Sequence, residues 1–542
     1  MLTPLRRAGR LWWLVRTLVR SGMLAPLRPD KYLAMAAVIR REGVTAMTGI
    51  GLAACRRPHG TALIDERGEL TWAEFESRSD ALASGIADQV DGRVETIAIL
   101  ARNHRGFVEA LRAAAKLGAD ALLLNTGFSA NQLGDVLGRE GAEVIVYDEE
   151  FAPLVEKAGA DGLVRILAWT DHTSDDVPTV DGLIEQHHGS KPAPPDTPGR
   201  TILLTSGTTG TPKGARRSGG GGAATLAAML DRIPWHAEET TVVAAPMFHA
   251  WGFGQLAVAV TMTCTVVMRR RFDPEATLEL VEHNDATGLA VVPVMLERII
   301  DLPEEVLDRH DLGSLRFITA SGSRMRPEAV TRFMDRYGDL VHNSYNATEA
   351  GQITIATPSD LRAAPDTAGR PVAGTDVRII DDDGRAVPAG EIGRVTVLSD
   401  SQFEGYTAGE DKEFHDNYLV SGDVGRLDEE GRLFVVGRDD EMIVSGGENV
   451  YPLEVEQTLS EHDAVHEAAV IGVDDDAYGQ RLAAFVVLRP GQEVTTEQLK
   501  AHVKEQLAGY KVPRDLTVLV ELPRNASGKV VKRELVPSDG ED

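Results

Sequence analysis

Thr205-Ser206-Gly207-Thr208-Thr209-Gly210-Thr211-Pro212-Lys213-Gly214 follows the apolar run Ile202-Leu203-Leu204. That order predicts a strand opening into a loop of glycines, hydroxyls and one lysine. Gly207 and Gly210 permit backbone torsions closed to other residues. Without side chains there, main-chain N–H groups can turn toward an anion. Ser206, Thr208 and Thr209 add hydroxyl donors, and Lys213 adds a mobile positive charge. Together these groups suit a polyphosphate. The spacing is not the Gly-x-x-x-x-Gly-Lys-Ser/Thr of a P-loop. A plain flexible surface loop is the competing reading, and the length of the string weighs against it.

Around this loop the chain is long enough for more than one core, with 542 residues and 43% hydrophobic content. Its 56 Lys+Arg against 83 Asp+Glu give a net charge of −27. That balance argues against nucleic-acid binding, which needs a basic face, and fits a cytoplasmic protein. The two cysteines, Cys55 and Cys264, cannot form a disulfide framework. Both read as small apolar residues. The longest apolar run, Leu256 to Met268, is too short to span a bilayer.

Residues 1–60 depart from the acidic average. Eleven Lys and Arg against two acidic residues between Met1 and Arg57 give +9. Leu11-Trp12-Trp13-Leu14-Val15 lies among these arginines, the composition of an interfacial helix. Two readings stay open: residues 1–28 attach peripherally to an anionic membrane, or their apolar face packs on the protein's own body.

From residue 61 strand and helix alternate. A hairpin is expected over Thr61 to Leu70, and Thr71 with Glu74 forms a capping box for a helix reaching toward Val90. Thr96 to Leu100 and Val144 to Tyr147 read as strands, with a helix between at about 105–117. This pattern predicts an α/β fold with a mostly parallel, helix-covered sheet. Asp171 to Arg200, rich in Pro, Asp and Gly, reads as a loose connection, and Gly219 to Gly222 as a mobile one. Leu289 to Val292 and Phe317 to Ala320 read as further buried strands. Asp376 to Ile380 and Gly393 to Leu398 read as a smaller β subdomain. The last hundred or so residues read as a small α+β unit.

The phosphate loop resembles that of the acyl-adenylate-forming (AMP-binding) superfamily, and further motifs follow in the family's order. Pro246-Met247-Phe248-His249-Ala250-Trp251-Gly252 is similar to the segment that opens the carboxylate-substrate pocket. Amino-acid-activating members place an Asp after the Phe. Here His249 stands there, and an ammonium in an apolar pocket without a carboxylate is costly. Phe248, His249 and Gly252 therefore resemble the fatty-acyl type. Ser321 and Gly322 would let adenine or an acyl chain approach the backbone. Asn343-Ser344-Tyr345-Asn346-Ala347-Thr348-Glu349 resembles Tyr-Gly-x-Thr-Glu. Tyr345 would lie along adenine, Thr348 by the α-phosphate, and Glu349 would hold Mg²⁺. Asn346 replaces a glycine and is expected to take a left-handed torsion.

Ser421-Gly422-Asp423 is similar to the family's Thr-Gly-Asp, with Asp423 accepting from both ribose hydroxyls. Arg438 would reach the ribose and phosphate edge. Asp440 matches the position about which relatives swivel. The resemblance thus implies a large AMP-binding domain over 61–438 and a small mobile C-terminal domain over 439–542. Ser445, Gly446 and Gly447 resemble the loop that admits pantetheine. Lys529, in Pro523-Arg524-Asn525-Ala526-Ser527-Gly528-Lys529, would bridge the substrate carboxylate and the α-phosphate. Lys529, Glu349 and Thr205 are the implied catalytic residues. The resemblance implies a fatty acid–CoA ligase using ATP, Mg²⁺ and coenzyme A. The alternatives are a fatty acyl-AMP ligase loading a carrier protein, a luciferase-like oxidation, and a nucleotide-binding regulator without catalysis.

Overall fold

A computed structural model describes residues 4–172, 176–205, 213–215, 222–347, 350–399, 413–445, 448–475 and 479–536. The chain divides into two compact units. One is Met1–Asp366 with Val372–Thr375 and Ser399–Lys412; the other is Thr367–Pro371, Asp376–Leu398 and Glu413–Asp542.

The first unit holds two sheets. One runs from Gly351–Ala356 through Val341–Ala347, Phe317–Ala320, Gly288–Val291, Thr240–Val243, Thr265–Val267 and Thr61–Asp65 to Gly68–Thr71. Every neighbouring pair from Val341–Ala347 to Thr61–Asp65 is parallel. The other sheet orders Val164–Trp169, Val144–Asp148, Thr96–Leu100, Asp120–Leu123, Thr201–Thr205 and Lys213–Ala215, parallel except for its last pair. Thr96–Leu100 and Gly288–Val291 are buried at every position. Continuous apolar runs of this kind belong to parallel strands covered on both faces. The helices Trp72–Asp88, Arg105–Leu117 and Ala250–Thr261 share one core with residues of both sheets, among them Leu63, Ile97, Ile99 and Val243.

Local signals are obeyed closely. Thr71 and Glu74 form the expected capping box. Arg105–Leu117 ends at Gly118, whose φ of 68° is left-handed. The stretch 171–200 differs from the loose connection expected. It contains the helix Val180–Gln186, capped by Thr179, with Val180, Leu183 and Ile184 buried. A single turn of apolar spacing was outweighed there by the surrounding Pro and Asp. Cys264 is buried, and burial pushes its thiol up to about 12. Cys55 is only half-buried.

Three helices are tied by a buried ionic network that composition alone does not reveal. Arg112 donates to Glu42 at 2.7 Å and to Glu76 at 2.7 and 3.0 Å. Lys116 donates to Glu76 at 2.6 Å and Asp80 at 2.5 Å. Burial alone would raise the Glu76 carboxyl, but the charges of Arg112 and Lys116 overcome it and hold it down at about 2.

The second unit also has two sheets. Thr375–Ile380, Gly393–Ser399, Tyr418–Leu427 and Phe414–His415 form one, with Leu433–Arg438 added to Tyr418–Leu427. Glu448–Val450, Ile443–Ser445, Gly479–Leu488 and Val465–Asp475 form the other, with Asp515–Leu519 parallel to Gly479–Leu488. The helices Pro452–Ser460 and Thr496–Gln506 bury Val455, Leu459, Leu499 and Val503 with Val470 and Val486 of this sheet. Asp440 sits in the one-turn 3-10 helix Asp439–Glu441 between the two sheets in sequence. Gly219–Gly221 lie outside the described residues.

The network sets an expected acid response. Because the folded Glu76 carboxyl is depressed from 4.5 to about 2, its stabilisation is complete above pH 4.5 and is lost as pH falls toward 2. Glu76→Gln is expected to lower the urea midpoint at neutral pH and to flatten its fall over that window. Arg112→Met, which takes from Glu42 its 2.7 Å partner and leaves Glu76 to Lys116 alone, is expected to cost about 3–5 kcal/mol. Unchanged urea midpoints would contradict both.

Candidate active site

Parallel strands place their carboxyl ends along one edge of a sheet, where open α/β sheets bind ligands. Four adjacent strands of the first unit do this, three of them with predicted residues. Thr240–Val243 leads into Phe248, His249 and Gly252; Phe317–Ala320 leads into Ser321 and Gly322; and Val341–Ala347 carries Asn343, Tyr345 and Asn346 near its end. Gly288–Val291, between the first and second of these, leads into Val292.

The Pro246-to-Gly252 segment is held from several sides. Asn103 Nδ2 donates to the Ala245 carbonyl at 2.9 Å, and its Oδ1 accepts from the Met247 N–H at 2.9 Å. His249 caps the helix Ala250–Thr261, its Nδ1 accepting from the Trp251 N–H at 3.4 Å. The Trp251 indole N–H donates to the Val291 carbonyl at 2.8 Å. A Cβ on Gly252 would sit 2.2 Å from the Pro246 carbonyl oxygen, so glycine is required for the turn to close. Phe248 is buried in the core behind this segment. Asn103 and Trp251 had no assigned role in the sequence: a lone Asn gives no signal, and Trp251 lies at a position that the motif leaves unspecified.

Ser321 and Asn346 meet directly. The Asn346 amide donates to the buried Ser321 Oγ at 2.9 Å. Asn346 does not take the left-handed torsion expected, since it is absent from the positive-φ residues of the described chain. It remains in its strand, at a register shift between Tyr345 and Asn346, and uses its side chain as a strut. Gly322 does have φ of 112° and open space around a would-be Cβ, with Val292 at 3.9 Å the nearest neighbour. Asn343 pairs with Ala320, and Gln352 Nε2 donates to the Tyr345 carbonyl at 3.2 Å.

Of the phosphate loop, Thr205 and Lys213 are described by their backbones alone, facing each other across the antiparallel pair. Ser206, Gly207, Thr208, Thr209 and Gly210 lie outside the described residues, as do Thr348, Glu349, Gly446 and Gly447. Ser445 is buried and pairs with Glu448.

The second unit gathers Asp423, Arg438, Asp440 and Lys529. Ser421 Oγ donates to the Val395 carbonyl at 2.9 Å and accepts from the Asp423 N–H at 3.1 Å. Gly422 between them has φ of 83°. The hydroxyl is what this turn uses, so Ser serves in place of Thr. Asp423 faces Arg438 across the ladder, with Arg438 Nη1 3.6 Å from Asp423 Oδ1. Arg438 Nε also donates to Asp440 Oδ1 at 3.0 Å. Burial opposes the Arg438 charge, and these carboxylates more than restore it, raising its pKa.

Lys529 is aimed by a tight turn. Asn525 Oδ1 accepts from the Ser527 N–H, the Ser527 hydroxyl and the Lys529 N–H at 3.0, 2.8 and 3.0 Å. The Asn525 N–H returns to the Lys529 carbonyl at 2.9 Å. Gly528 has φ of 82°, and its carbonyl accepts from Arg524 Nη1 at 2.8 Å. Arg524 is itself paired to Glu467 of the Val465–Asp475 strand. The Lys529 side chain keeps solvent access, yet crowding by protein lowers its pKa; Asp423 and Glu441 oppose that, and Arg438 adds to it. An ammonium so placed gains from an arriving anion.

Residues 52–407 match the AMP-binding enzyme family, and residues 454–529 match the AMP-binding enzyme C-terminal domain. A feruloyl-CoA synthase from Amycolatopsis sp is 32% identical over 488 residues, covering 88% of this chain and 96% of that protein. A fatty acid–[acyl-carrier-protein] ligase from Streptomyces coeruleorubidus is 29% identical over 493 residues, covering 88% and 93%. The solved O-succinylbenzoate coenzyme A synthetase from Bacillus subtilis, in complex with ATP and magnesium ion, superposes with a TM-score of 0.77. It is 29% identical and covers 90% of this chain and 98% of that one.

Asn103→Ala leaves the Met247 N–H without its partner and is expected to cost about 1–3 kcal/mol of stability. Thermal unfolding checks it, and an unchanged Tm would contradict the clamp.

Proposed function

The chain belongs to the AMP-binding enzyme family, and from that premise we propose that it activates an aryl carboxylic acid as its acyl-adenylate and passes the acyl group to coenzyme A. ATP-dependent acyl-adenylate formation, with ATP, Mg²⁺ and coenzyme A, fits this family. The observation that carries the aryl reading is kinship with two ligases named for feruloyl and O-succinylbenzoyl groups. The clamped, apolar Pro246-to-Gly252 segment agrees with it, since a fixed wall suits a flat ring held in one orientation. The fatty acid expected from His249 gives way here as first choice. A missing carboxylate disfavours an ammonium but does not select alkyl over aryl.

In the first step a carboxylate oxygen attacks the α-phosphorus of ATP and pyrophosphate leaves. The loop from Thr205 to Gly214 would cradle the phosphates, Tyr345 would lie along adenine, and Asp423 would accept from the ribose hydroxyls. Glu349 would hold Mg²⁺ through the carboxylate oxygens that this hard cation prefers, and the ion would supply positive charge to offset that of the phosphates. Lys529 offsets the charge building on the carboxylate and α-phosphate. The Asn525 turn and the Arg524–Glu467 pair hold its backbone for that task. In the second step the coenzyme A thiol attacks the acyl carbonyl and AMP leaves. Ser445, Gly446 and Gly447 would admit the pantetheine arm after a swivel at Asp440. Loading of a carrier protein is the second reading, favoured by the similar fatty acid–[acyl-carrier-protein] ligase.

Coenzyme A-dependent AMP release over hydroxycinnamic, benzoic and graded fatty acids tests the substrate. Aryl acids are expected to show kcat/KM at least about tenfold higher. A preference for fatty acids would overturn the aryl reading, and AMP release that needs a carrier protein would select the second. Lys529→Ala is expected to slow adenylation by roughly 10²–10³ while sparing thioester formation from supplied acyl-AMP. Equal loss of both half-reactions would contradict its role. Asp440→Pro is expected to impair mainly the second half-reaction, and an unchanged second step would remove the swivel.

A further inference from the structure

The helix Pro4–Arg20 precedes the family match, which begins at residue 52. Nothing in the proposed chemistry uses it. It carries two apolar faces where a surface helix normally has one. The inner face is settled: Thr17 and Leu18 are buried, and Trp13 and Leu14 pack against the core of the first unit. The body-packing expectation is met on this side.

The outer face is left open. Leu11, Trp12, Val15 and Val19 are 62%, 68%, 39% and 56% exposed. At helical spacing Leu11, Val15 and Val19 form one row, and Trp12 flanks it. Arg16 and Arg20, both exposed, continue around the helix beyond Trp12. The Arg20 guanidinium turns back to the body, its Nη2 donating to the Leu230 carbonyl at 3.4 Å and lying 3.7 Å from Asp231. More than half of the large hydrophobic side chains exposed among the described residues lie before residue 45, the next helix Pro29–Glu42 adding Tyr32, Leu33 and Ile39. The Leu11, Trp12, Val15 and Val19 face is continuous along one helix, and an exposed apolar patch of this kind marks an interaction surface.

We propose that the outer face of Pro4–Arg20 docks on an anionic bilayer surface, lying in the interface. Charge complementarity selects this occupant: the helix Pro4–Arg20 carries five arginines and no acidic residue on a chain of −27. The acidic body is repelled by anionic lipid, so contact is confined to this segment. The Trp and aliphatic row enters the acyl boundary while the exposed Arg16 beside it reaches headgroup phosphates. A nucleic acid would use the arginines and leave the apolar row exposed. A symmetric pair of chains would bring two such arginine-rich helices together, which like charge disfavours. No helix among the described residues is long and apolar enough to cross a membrane, so the contact is peripheral.

The test is flotation of the full chain with phosphatidylcholine vesicles, with and without phosphatidylglycerol. Flotation is expected with the anionic vesicles and to weaken with salt. Trp12→Ser combined with Val19→Ser is expected to cut the bound fraction by about tenfold or more. Because both side chains point away from the core, the melting curve and the turnover of soluble acid should not change. Equal flotation of parent and variant, or none by either, overturns the proposal. So does a dimer in sizing experiments that the same variant abolishes without any flotation, which would assign the face to a second copy. Retention on DNA that depends on Arg16 and ignores Trp12 would overturn it in favour of a polyanion.

Discussion

Parallel pairing imposes a constraint from which the site follows. Strands that run the same way must all end on one edge, and the residues just beyond those ends are the ones freed from the ladder. Gly288 pairs with both Thr241 and Phe317, and Ala320 pairs with Asn343, so the register of four strands is fixed by continuous hydrogen bonding. Their continuations are therefore neighbours by necessity. Ser321 and Asn346, 25 residues apart in sequence, touch because their strands do. The buried Arg112–Glu42–Glu76–Lys116 network matters to the site only in this indirect sense. It fixes helices that cover the sheets, and those sheets hold the edge.

In the second unit, position is set by side chain-to-backbone bonds. A flexible lysine stem contributes little unless its Cα is fixed, because ordering four rotatable bonds already costs entropy. Asn525 fixes the Lys529 backbone through one carboxamide oxygen that accepts three donors. Arg524 joins that turn to the strand carrying Glu467. Ser421 does the equivalent for Asp423, with one hydroxyl both donating and accepting. Short polar side chains turned back on the main chain thus aim the charged ones.

Much of this was legible in the sequence where the signal is local. The Thr71–Glu74 box, the helix Arg105–Leu117 and the strands Thr96–Leu100 and Phe317–Ala320 follow from periodicity and capping. The motif residues were legible because their order and chemistry form a set. What was not legible depends on partners distant in sequence. Asn103 reaches Ala245 across 142 positions, and no pattern near either residue announces it. Asn346 was expected to behave as a glycine substitute, yet it became a strut because Ser321 lies within reach. The N-terminal helix posed a choice between body and membrane. The fold answers part of it by burying one apolar face and leaving the other exposed.

The account rests on a carboxylate attacking the α-phosphate before any thiol is involved. Exchange of labelled pyrophosphate into ATP, driven by an aryl acid with no coenzyme A present, measures that step alone. The account predicts acid-dependent exchange under those conditions. Exchange that appears only when coenzyme A is added, or none with any carboxylic acid, would contradict it.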